Sequence, residues 1–70
     1  MKLTRLRALR QQAFITQAEL GEKAGVSEVT INRLENGASA RISTARKIAE
    51  ALGVAPAALV GEHDDTQAAA

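Results

Sequence analysis

The 70-residue sequence has no cysteine, tryptophan or tyrosine, and only one phenylalanine and one proline. Without cysteine there is neither a disulfide nor a thiolate metal site to stabilise so short a chain. The lone histidine, His63, supplies no ligand set, because a metal centre needs several donors at compatible spacing. We read it as a solvated tail residue and expect neither metal nor cofactor. Phe14 is the only aromatic, which leaves nothing to stack on unpaired bases. No apolar run approaches the length of a membrane span and no secretory signal precedes the first helix, so an intracellular soluble chain is expected. There is also no nucleophile–base pair, acidic metal cluster or glycine-rich phosphate loop, and an enzyme is not expected.

Charge of one sign is scarce overall, with a net of only +1, but its distribution is uneven. All nine Lys and Arg lie within residues 1–60, together with Glu19, Glu22, Glu28, Glu35 and Glu50, which makes that body +4. The last ten residues carry Glu62, Asp64 and Asp65 without a base, hence −3. The chain therefore divides into one small domain, 1–60, and an acidic tail, 61–70, with no apolar face, which reads as disordered.

What is present is helical periodicity. Leu3, Leu6, Leu9 and Ala13 recur at helical spacing, with Arg5, Arg7 and Arg10 between them. "ITQAEL" (Ile15 to Leu20) opens a second helix: Thr16 is the N-cap, Glu19 completes a capping box, and Ile15 and Leu20 form a hydrophobic staple. Gly25 stops that helix, and Ser27 starts a third almost at once, with Val26 and Ile31 as its staple and Gly37 as its stop. "ISTARKIAEALG" (Ile42 to Gly53) is a fourth, capped by Ser43 or Thr44, with Ala45, Ile48, Ala49 and Leu52 inward. Pro56 suits the first turn of a short fifth helix containing Leu59 and Val60, though Ala55 is a poor cap and the element frays unless something covers it. The expected fold class is all-α, a compact five-helix domain.

Two capped helices joined by about three residues must cross steeply, as in a helix-turn-helix. Gly21, on the inner side of the second helix, lets the third approach closely; alanine or glycine is expected to suit that position. Ile31 and Leu34 lock the third helix to the core and leave Ser27, Glu28, Val29, Asn32, Arg33 and Asn36 outside. An exposed helix of this kind fits the major groove of B-DNA.

The run "TQAELGEKAGVSEVTINRLENG" (Thr16 to Gly37), followed by "IAEALGV" (Ile48 to Val54), closely resembles the phage-repressor-like helix-turn-helix family of the Cro and xenobiotic-response-element type. The likeness covers about Leu6 to Val60. It implies a lambda-repressor-like five-helix domain with its helix-turn-helix at helices 2 and 3. It further implies binding to palindromic operator DNA, usually as a symmetric dimer, and a cytoplasmic location on the nucleoid. A transcriptional repressor is the function expected.

The resemblance also implies roles for single residues. Gln17, at the start of helix 2, matches a phosphate-contacting position, where free N–H groups favour an anion anyway; an ordinary surface Gln is the alternative. Asn36 and Arg41 match further backbone contacts, which orient a protein on DNA without reading sequence. Ser27 and Thr30 are phosphate candidates too, although Ser27 is first a cap. Arg33 is the main candidate for base reading, since its fork fits the two acceptors on a guanine edge. Glu28 suits a cytosine amino group or merely complements the helix dipole. Val29 suits a thymine methyl or packing against helix 2, and Asn32 an adenine or a phosphate. Arg10 and Glu35 match a structural ion pair between helix 1 and the end of helix 3.

The loop after helix 3, "ASAR" (Ala38 to Arg41), carries one Arg where this family is often strongly basic. Fewer neutralised phosphates mean weaker binding per domain, so a homodimer is expected through Val54, Leu59 and Val60. The alternative is that these residues close the monomer's own core and pairing occurs only on DNA. An antitoxin-like or adaptor module, binding a protein partner through the acidic tail as well as DNA, is the second functional reading.

Overall fold

The computed structural model describes residues 1–60; the acidic tail, with His63, lies outside the described residues. Four α-helices follow in order: α1 (Leu6–Gln12), α2 (Gln17–Ala24), α3 (Glu28–Glu35) and α4 (Ile42–Leu52). Pro56–Val60 form a 3-10 helix, not the fifth α-helix that the sequence suggests. Five residues gain few i→i+4 bonds and Ala55 has no side chain to cap them, and Ala58 N–H closes the tighter bond to the Ala55 carbonyl at 2.9 Å. The segment is nevertheless covered. Leu59 is wholly buried, its carbonyl accepts from Arg5 N–H at 2.8 Å, and the Thr4 hydroxyl donates to the Val60 carbonyl.

Other boundaries differ from the periodic reading as well. Leu3 is buried but precedes α1, in a segment whose Lys2 forms an isolated antiparallel bridge with Ser39. Ala13 is exposed and follows α1 rather than extending its apolar stripe. There the chain turns sharply, with Phe14 in the left-handed region at φ 58°. Helix α4 begins one residue before Ser43, capped in backbone conformation by Arg41 with no side-chain cap bond; Leu52 is only half-buried.

The core gathers one side of every element. Leu6 from α1, Leu20 from α2, Ile31 from α3, Ile48 from α4 and Leu59 are its largest fully buried side chains. Ala24, Ala40, Ala45 and Ala49 fill the closer approaches. Helix α2 is the central element, packing against both α3 and α4. Such a centre leaves α3 one free side.

Candidate nucleic-acid interface

Residues 16–36 build the site. Thr16 accepts from Glu19 N–H, and Glu19 accepts in return from Thr16 N–H at 2.8 Å, so the capping box is complete. The cap leaves the N–H groups of Gln17 and Ala18 without a partner among the described residues. At the other end Gly25 takes φ 75° and its N–H bonds to Gly21 carbonyl; a left-handed residue of this kind strongly favours glycine. Three residues then suffice to reach α3, where Ser27 accepts from Thr30 N–H.

The tightness of that turn decides the Gly21 position. A Cβ there would stand 2.6 Å from the Val26 carbonyl oxygen and 3.3 Å from Glu28 N. Both neighbours are backbone, so neither can rotate away. Alanine is therefore not equivalent to glycine here, contrary to the expectation from sequence.

Ile31 and Leu34 are buried, so the opposite side of α3 is the one presented. Glu28, Val29, Asn32 and Arg33 are all exposed, with Val29 60% accessible despite being apolar. Arg33 has no carboxylate partner among the described residues. Arg41 likewise has none and forms the N-cap of α4.

The remaining polar side chains form a connected group. Arg10 pairs with Glu35 through its Nε and, at 3.1 Å, its Nη2, while Nη1 donates to the Ile15 carbonyl. Arg7 donates to the same carboxylate at 3.2 Å. Gln17 Nε2 donates to it at 3.0 Å, and Asn32 Nδ2 lies 3.4 Å from Gln17 Oε1. Asn36 Nδ2 donates back to the Asn32 carbonyl and lies 3.3 Å from Asn32 Oδ1. The Glu35 side chain has no exposed surface. Burial pushes its carboxyl up, but hydrogen bonds from Arg10, Gln17 and Arg7, together with the Arg10 charge, outweigh burial and hold it below the usual glutamate range. The same hydrogen bond and charge raise Arg10 further above its already high value, against the opposing effect of burial.

Two side chains expected at phosphates also have partners inside the protein. Gln17 is half-buried and its amide is engaged inside the protein. Ser27 accepts from Thr30 N–H and donates to the Thr30 hydroxyl at 2.9 Å, so the hydroxyl proton left over belongs to Thr30. Arg7 joins Arg10 at Glu35 because a spacing of three places both on one side of α1, a signal present in the sequence.

A family model described as helix-turn-helix, of the Cro/C1 type, matches residues 6–59, most of the chain. The protein belongs to this family. It is a family of DNA-binding regulators, and the helix-turn-helix pair is α2 and α3. No helix among the described residues is long and apolar enough to cross a membrane, and no metal-binding cluster occurs among them. Of the residues expected at a dimer contact, Val54 and Val60 are half-buried, whereas Leu59 is wholly covered by this chain's own core. Leu59 therefore stabilises the monomer and has no surface left to offer a second copy.

Proposed function

We propose that this regulator is a transcriptional repressor that reads operator half-sites with α3 in the major groove. The observation that carries the reading is the row Glu28, Val29, Asn32 and Arg33, exposed on a helix whose opposite side is locked by Ile31 and Leu34. Arg33 reads guanine, Val29 meets a thymine methyl, and Glu28 accepts from cytosine while repelling phosphates elsewhere. Phosphates are held by the free N–H groups at the start of α2, where Gln17 contributes its backbone, by the Thr30 hydroxyl beside Ser27, by Asn36 and by Arg41.

A domain with so few cations binds weakly alone. Two copies on a palindrome, meeting through Val54 and Val60, supply the affinity, and the protein acts in the cytoplasm on the nucleoid. Selection of bound sequences from random duplexes tests this. The expected product is a palindrome with half-site centres about one turn, roughly 34 Å, apart. Recovery of unselected sequence would overturn the reading.

A further inference from the structure

We propose that Gln17 and Asn36 clamp the carboxamide of Asn32 so that it presents one donor and one acceptor to an adenine edge. The proposal rests on the groove-reading role of α3 and adds to it the orientation of one reading side chain. A terminal amide can sit either way round, so what fixes it is the partner at each end. Here the chain of partners begins with a charge. Glu35 is an acceptor held by Arg7 and Arg10 and closed off from solvent, so the Gln17 amide must turn its Nε2 toward it, at 3.0 Å.

Gln17 Oε1 is then the end that faces Asn32, and only the Asn32 Nδ2 can donate to it, at 3.4 Å. Asn32 Oδ1 in turn faces the Asn36 Nδ2, at 3.3 Å. Each contact uses one hydrogen or one lone pair of the Asn32 amide and leaves the other free. One N–H and one lone pair are the complement of adenine N7 and N6–H2. Asn32 itself is exposed, so the ready amide lies on the open side of the helix. Gln17 and Asn36 are positioning residues in this arrangement, and Asn32 is the reader.

The test uses the full chain and a set of duplexes carrying every base at every position of the selected operator. The unmodified protein should prefer adenine at one position by about five- to 150-fold, the range for a bidentate contact. Asn32→Ala should abolish that preference alone. Gln17→Met, similar in length but unable to form these hydrogen bonds, should lower it by about threefold or more while the Arg33 position keeps its preference. In the DNA-free protein, the ordered side-chain amide signal of Asn32 should become mobile in Gln17→Met. If that variant fails to fold, Asn36→Ala leaves the core untouched and should lower the same preference.

An adenine preference fully retained in Gln17→Met or Asn36→Ala, whatever the loss shared by all duplexes, would overturn the clamp. So would an Asn32→Ala protein with unaltered preferences, or an Asn32 amide equally ordered without Gln17. Absence of any preference in the unmodified protein overturns the reading of α3 itself and the clamp with it. That failure shows before any substitution is made.

Discussion

Arg33 and Glu35 stand two residues apart on one short helix and end in opposite environments. Arg33 reaches solvent without a partner among the described residues, whereas Glu35 is enclosed by four donor atoms. Replacing them should therefore separate binding from folding. Arg33→Ala should relax preference at one base pair and cost about 1–3 kcal/mol of operator affinity. Its unfolding free energy should stay within about 0.5 kcal/mol, as for other exposed positions. Binding titrations on single-base operator variants, alongside urea unfolding, check both halves. The outward position of Arg33 was legible in the sequence because Ile31 and Leu34 mark the inward side. The engagement of the Gln17 side chain was not, because its partners lie 15 and 18 residues further along the chain and meet it only after α2 and α3 cross.

At the scale of elements, the start and stop of α2 and the start of α3 follow from local chemistry and were written in the sequence. Thr16, Glu19, Gly25 and Ser27 all act within a few residues of themselves. The start of α4 and the nature of the last element were not legible by the same means, since neither has a side-chain cap and both depend on what covers them. Gly21 lies between these cases. Alanine is intrinsically the better helix former by up to about 1 kcal/mol, but its Cβ would meet fixed backbone oxygen at 2.6 Å. The clash should win, because relief requires the turn itself to move. Gly21→Ala is expected to lose about 1–3 kcal/mol of stability, read as a shift in the urea midpoint with unchanged slope. A variant as stable as the original would show that the turn yields freely.

For the molecule as a whole, the Arg10–Glu35 pair links α1 to the end of the helix-turn-helix and makes folding sensitive to acid. The Glu35 carboxyl titrates below its ordinary value of 4.5 in the folded state. Its contribution is thus complete above the unfolded value and disappears as pH falls through the lower, folded value. Arg10 stays charged throughout, so it adds no slope of its own in that range. Thermal unfolding from neutral pH down into acid should show stability falling in that window. Glu35→Gln should fall less steeply and be less stable at neutral pH. Glu35→Ala, which strands the largely covered Arg10, should lose about 3 kcal/mol at neutral pH. Parallel curves for the original and Glu35→Gln would remove Glu35 as the source of the slope.

The sequence by itself determined that residues 1–60 are mainly helical, where the second and third helices begin and end, and which side of the third faces outward. Each of these depends on interactions within a turn or two, and such interactions are encoded in neighbouring residues. Only the tertiary structure decided that Leu59 belongs to the monomer's core, that Gly21 has no room for a methyl group, and that one buried carboxylate gathers Arg7, Arg10 and Gln17. Those outcomes depend on atoms far apart in the chain, whose distances are set by packing rather than by spacing along the sequence.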